Sequence, residues 1–121
     1  MANIYHYRLE KSSSSSCFYY LFSNREFVSV IGNGGFSMQR MVPGDGEFSI
    51  TSEIRMPGGS FAAALGKARG KARSVYKFKV LPDRCYYFRW SCAFGDELIE
   101  SVEETVALKE LKGLKEFQIK A

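Results

Sequence analysis

Tyr76-Lys-Phe-Lys-Val-Leu-Pro-Asp-Arg-Cys-Tyr-Tyr-Phe-Arg-Trp-Ser-Cys92 is the stretch that decides the fold class. Tyr76, Phe78 and Val80 alternate with Lys77 and Lys79; after a break, Tyr86, Phe88, Trp90 and Cys92 alternate with Tyr87, Arg89 and Ser91. A repeat of two puts successive side chains on opposite faces of a strand, so each half has one apolar face and one wet face. Pro82-Asp83 between them brings a preset φ and a side chain that bonds its own backbone, which is the chemistry of a short turn. The stretch reads as an antiparallel hairpin with one buried side, Phe88 and Trp90 lying in the core.

The same signal recurs outward from it. Ala2 to Leu9 reads as a strand with Tyr5, Tyr7 and Leu9 on one face and Ile4 and His6 on the other. Ser12 to Ser16 has nothing apolar to bury and reads as a solvated loop. Cys17 to Phe22 and Glu26 to Ile31 flank Ser23-Asn24-Arg25, a hairpin connection in which Asn24 suits a left-handed backbone. Gly32-Asn-Gly-Gly35 is a second turn, and Phe36 to Val42 returns as a strand. After the Pro43-Gly-Asp-Gly46 turn, Phe48, Ile50, Ser52 and Ile54 face one way and Glu47, Ser49, Thr51 and Glu53 the other, until Met56-Pro-Gly-Gly59 ends the run.

Two segments depart from this pattern. Ser60 as a cap, with Ala64-Leu65, Ala68 and Ala72 behind it, makes a short central helix, weakened by Gly66 and Gly70 at about 1 kcal/mol each relative to alanine. Leu98 to Val102 extends as a strand before Glu103-Glu104 opens a C-terminal helix. Its expected apolar stripe is Val106, Leu108 and Leu111; Lys109, Lys112 and Lys115 suit the dipole, and Gly113 sits at the C-cap. Turn signals at this spacing predict a mainly β, antiparallel β-sandwich of about seven strands with a short C-terminal and a short central helix.

A chain of 121 residues is one domain, 1–121, and buries roughly two-thirds of its unfolded surface. Its three cysteines, Cys17, Cys85 and Cys92, have no CxxC spacing and point away from a zinc site. Cys85 and Cys92, on one strand, lie roughly 23 Å apart on opposite faces and do not pair; the cysteines read as buried or half-buried free thiols, while a bridge from Cys17 to either stays open. No apolar run reaches the roughly 18 residues of a membrane span, and no charged start with an apolar core follows Met1.

The net charge of +4 is concentrated. Between Ile54 and Pro82 the chain carries Arg55, Lys67, Arg69, Lys71, Arg73, Lys77 and Lys79 and no acid. Lys67, Arg69, Lys71, Arg73, Lys77 and Lys79 are the candidate anion-binding residues, and Gly66 and Gly70 suggest that the tract is mobile, favouring an anionic surface, lipid headgroup or acidic polymer over base readout. The aromatic residues beside the tract are the ones the core needs, so specific nucleic-acid binding is not expected. A solvated face explains the same charges.

His6, the single histidine, reads as a structural residue rather than a base; an enzyme would need it beside a carboxylate and a hydroxyl in a cleft. Gly32-Asn-Gly-Gly35 lacks the lysine-serine ending of a phosphate loop, and the acids Asp96, Glu97, Glu100, Glu103 and Glu104 lack calcium-loop spacing. No catalytic set, metal or cofactor is expected.

Ile4-Tyr-His-Tyr-Arg8, the hairpin Phe18 to Ile31 followed by Gly34-Gly35-Phe36, Val42-Pro43-Gly44, Asp83-Arg-Cys-Tyr-Tyr-Phe-Arg89 and Glu103 to Leu111 together resemble the bacterial domain-of-unknown-function 2846 family of predicted lipoproteins. The resemblance spans nearly the whole chain, with Phe61 to Arg73 as an insertion. It implies an immunoglobulin- or transthyretin-like sandwich serving as a non-catalytic binding or structural module of the bacterial cell envelope or periplasm, with a protein or glycan partner. The alternatives are polyanion binding, to nucleic acid or anionic lipid, through residues 67–79, and a small-ligand enzyme with an unrecognised site. If Met1 is the native start with no export signal, the location is cytoplasmic.

Overall fold

The computed structural model describes residues 1–9, 18–53, 61–93 and 96–116. The serine run, Cys17 with its open pairing, Ile54, Arg55, the Met56–Gly59 turn and the Ser60 cap lie outside these residues. The strands are β1 Ala2–Tyr7, β2 Phe18–Ser23, β3 Glu26–Ile31, β4 Gly35–Met41, β5 Gly44–Glu53, β6 Arg73–Val80, β7 Cys85–Ala93, β8 Asp96–Ser101 and β9 Lys115–Glu116. Two helices join them: α1 Phe61–Lys71 between β5 and β6, and α2 Glu104–Leu111 after β8. One sheet runs β8-β7-β1-β4-β9 and the other β3-β2-β5-β6, forming the predicted sandwich with nine strands among the described residues instead of about seven. It is not wholly antiparallel, because β1 pairs parallel with β7 and β4 parallel with β9.

The alternation read from the sequence gives the inner faces. Ile4 and His6 of β1, Tyr19 and Leu21 of β2, Phe48 and Ile50 of β5 and Phe88 and Trp90 of β7 are all buried between the sheets. The outer faces are wet only in part. Tyr20 and Phe22 point out of β2 yet are buried with Phe27, Val30 and Ala68 under α1, and Tyr7 and Tyr87 are buried with Ala107 under α2. The expected wet face of β7 therefore holds only in part: Tyr87 is covered and Arg89 is half-buried.

The quoted stretch forms two strands but not a hairpin. β6 hydrogen-bonds to β5 in one sheet, while β7 lies between β1 and β8 in the other. The two strands face each other across the core, with ring centroids of Phe78 and Phe88 at 5.2 Å, Tyr76 and Phe88 at 5.2 Å and Phe78 and Tyr86 at 5.3 Å. An alternating pattern specifies which face is buried, not which strand supplies the hydrogen bonds, and facing sheets about 10 Å apart suit it as well as a hairpin does. Asp83 takes φ 57° in the arch between them. No backbone ladder closes that arch; the Tyr86 hydroxyl does, accepting from the Leu81 N–H at 2.9 Å and donating to the Lys79 carbonyl at 3.4 Å.

The β2–β3 connection is the expected hairpin. Asn24 and Arg25 take φ 49° and 69°, the paired left-handed residues of a tight turn whose twist suits flanking strands. Asn24 also fastens the turn to β5, its side-chain amide donating to the Asp45 carbonyl at 3.2 Å and its oxygen accepting the Glu47 N–H at 2.9 Å. Beside this clamp side chains of β6 close over β5: a Cβ on Gly46 would lie 2.8 Å from the Phe78 ring and 2.9 Å from Val80.

α2 is rotated from the expected stripe. Ala107 and Leu111 face the sheet, while Val106 and Leu108 are 45% and 49% exposed. The cause is the polar chemistry beneath: the Tyr7 hydroxyl donates to Glu110 at 2.6 Å, the Tyr87 hydroxyl to Glu104 at 3.0 Å, and Arg89 to both Glu110 oxygens at 2.9 Å and to Glu100 at 3.2 Å. Burial, then the Glu110 hydrogen bond, holds the Tyr7 hydroxyl above the ordinary phenol range, and burial with Glu104 does the same for Tyr87. Burial disfavours the Arg89 charge, but Glu100 and Glu110 outweigh it and raise its affinity for the proton. Small Ala107 lets the helix come close enough for these bonds to form.

Candidate functional site: an arginine-lined groove beside the first helix

The basic tract does not lie on one surface. Lys67, Arg69 and Lys71 are exposed on α1, where a two-residue step turns about 200°, so Lys67 and Lys71 share a side and Arg69 looks elsewhere. Leu65, Ala68 and Ala72 dock this segment on Tyr20, Phe22, Phe27 and Val30, so the tract expected to be mobile is helical and anchored. Arg73 opens β6 and is exposed. Further along that strand Lys77 and Lys79 face acids of β5: Lys77 is 3.7 Å from Glu47, and Lys79 is 2.9 Å from Asp45. The hydrogen bond and charge of Lys79 hold the Asp45 carboxyl below its ordinary range.

Arg69 is the member of the tract that reaches a concave site. Its guanidinium lies 5.7 Å from the centroid of the Phe22 ring, at a groove of about 410 Å³ bounded by α1, the β2–β3 turn and the outer face of β5 and β6. Phe22 and Ala72 form its apolar lining, Ser49 and Ser74 supply hydroxyls from facing positions of β5 and β6, and Arg25 of the β2–β3 turn also lines it. Glu47 completes it and is already engaged, accepting the Ser74 hydroxyl at 2.8 Å with Lys77 beside it. Two arginines and one partly satisfied carboxylate thus line the same groove. A neighbouring groove of about 560 Å³, lined by Asp45, Glu47, Lys77, Phe78, Gly46 and Asn24, has no such excess of positive charge.

Sequence reasoning singled out Arg69 but missed Arg25, Ser49 and Ser74. Arg25 stands alone in a turn, and only its left-handed conformation marks the position as special.

His6 lies at the centre of the sandwich, fully buried among Phe48, Phe88 and Trp90. The Trp90 indole N–H donates to His6 Nδ1 at 3.1 Å. An indole nitrogen only donates, so Nδ1 is the acceptor and Nε2 carries the proton, which it gives to Gln39 Oε1 at 2.8 Å. Burial lowers the His6 pKa to about 4 against the opposing pull of the Gln39 hydrogen bond. The imidazole is neutral near pH 7, both nitrogens are engaged, and its partners are an amide and an indole. Among the described residues, no group of three or more His, Cys, Asp or Glu comes together to hold a metal ion, and no helix is long and apolar enough to cross a membrane. Comparison with family models, curated proteins and solved structures finds no match.

Proposed function

We propose that the chain is a non-catalytic binding module whose groove between α1 and the β2–β3 turn takes a small anionic group, a phosphate or carboxylate. The placing of Arg25 and Arg69 on one groove with the Ser49 hydroxyl supports this reading; the Ser74 hydroxyl is already given to Glu47. A guanidinium offers a planar fork of donors that matches both anions, and a cleft of this volume suits a small ligand. The anchoring of Arg69 by α1 and of Arg25 by a tight turn limits the ordering that binding requires. Pairing of Lys77 and Lys79 with acids argues against a long polymer lying along residues 67–79. A bacterial envelope setting with a protein or glycan partner enters this proposal only through the resemblance to the domain-of-unknown-function 2846 family; the groove chemistry does not depend on it.

Titration with inorganic phosphate and with phosphate monoesters, followed by amide chemical shifts, tests the reading. Shifts should concentrate at Arg25, Ser49, Arg69 and Ser74, weaken with added salt, and disappear in the double variant Arg25→Gln/Arg69→Gln. Shifts that are absent, or that persist in the double variant, would refute it.

A further inference from the structure

At one end of the sandwich three large apolar side chains stand in solvent: Met1, Val42 and Leu81 are 51%, 69% and 40% exposed. They come from separate parts of the chain and are brought together by register. Ala2 pairs with Met41, setting Met1 beside Val42; Gly44 pairs with Val80, setting Pro43 beside Leu81. The Asn3 N–H donates to the Arg84 carbonyl at 2.9 Å, tying the 81–84 arch to the same end. Val42-Pro43 and Leu81-Pro82 are thus two neighbouring tips, both exposed.

The tip backbone is unusually ready to leave water. Pro43 and Pro82 have no N–H to desolvate, and the Leu81 N–H is already given to the Tyr86 hydroxyl at 2.9 Å. Each unbonded backbone donor carries a free-energy cost in an apolar medium. Cations flank the tips: Arg40 is exposed at the end of β4, Arg84 in the arch and Lys79 at the end of β6. The acids at this end are Asp45, which Lys79 pairs, and Asp83 in the arch.

We propose that this end of the sandwich docks on an anionic lipid bilayer, Val42, Leu81 and Met1 entering the boundary between headgroups and acyl chains while Arg40 and Arg84 meet lipid phosphates. Projecting tips with few free backbone N–H groups suit a fluid apolar layer, which closes around separate knobs, better than a folded partner, which would need matching hollows. Insertion of apolar side chains together with basic residues at the headgroups is the usual division of labour for interfacial binding. The inference is independent of the anion groove, which lies on the outer face of the four-stranded sheet.

Co-sedimentation with phosphatidylcholine vesicles containing about one-third phosphatidylserine tests it, with Trp90 fluorescence confirming that each variant is folded. The wild-type chain should pellet with these vesicles, Val42→Ser/Leu81→Ser should bind at least about tenfold more weakly, and Arg40→Gln/Arg84→Gln should lose the dependence on phosphatidylserine. Arg25→Gln/Arg69→Gln should bind as wild type, separating this outcome from the fate of the groove. Wild-type protein left in the supernatant, or a folded Val42→Ser/Leu81→Ser variant that binds unchanged, would overturn the proposal. So would lipid-free self-association that the same double variant abolishes, which would assign the tips to a second copy of the chain.

Discussion

Lowering the pH should destabilise this protein through one imidazole. His6 is the only histidine in the chain, so stability lost between neutrality and the carboxylate range reports on it alone. Its pKa is about 4 in the folded protein against 6.5 when unfolded. Protons therefore bind the unfolded chain first: below about pH 6.5 stability falls, and the loss levels off once the folded pKa is passed. The linkage relation gives a loss of about 2 kcal/mol between about pH 7.5 and 5, and about 3 kcal/mol by pH 4. The structure supplies the reason, since a protonated Nδ1 would oppose the Trp90 N–H donor to donor inside the aromatic core. Urea unfolding at a series of pH values, followed by the fluorescence of Trp90, the single tryptophan, measures the loss. A His6→Asn variant should be less stable at neutrality and lose the slope above pH 5. Flat wild-type stability between pH 7.5 and 5, or a native imidazole that titrates near 6.5 by NMR, would refute the reasoning.

Three further outcomes follow from the packing. Gly46→Ala puts a methyl group against Phe78 and Val80, whose rings and branches are held by the core, and should lower stability by about 1–3 kcal/mol in the same assay. Tyr86→Phe removes the only side-chain closure described for the arch; with the Leu81 N–H free to reach water, the loss should be about 0.5–1 kcal/mol. Glu110→Gln discharges the acceptor shared by Tyr7 and Arg89 and should cost about 1–3 kcal/mol, while spectrophotometric titration should show one buried tyrosine ionising at lower pH than in the wild type.

The inner faces were legible because alternation is a direct record of burial: Ile4, His6, Phe48, Ile50, Phe88 and Trp90 lie where a repeat of two places them. The same record is silent on hydrogen-bond partners, and so β6 and β7, adjacent in sequence and both well patterned, are separated into facing sheets. It also misleads where a polar residue is drawn inward. Glu110 lies toward the sheet because two hydrogen-bonding side chains await it, which turns Val106 and Leu108 outward against their hydrophobicity. The groove was half legible. A run of cations is visible in a sequence, but Arg25 joins Arg69 only through strand pairing that brings the β2–β3 turn alongside β5 and β6.

The position of β1 has a consequence for synthesis on the ribosome. β1 occupies the middle of its sheet, and its parallel partner β7 is made about eighty residues after it, where Asn3 meets Cys85. At about 5–20 residues per second, β1 waits some 4–16 seconds with an edge unmatched and Ile4, Tyr5 and Tyr7 uncovered. The interval between β1 and β7 is then the vulnerable one, and the aromatic residues of β1 are natural targets for a chaperone during it.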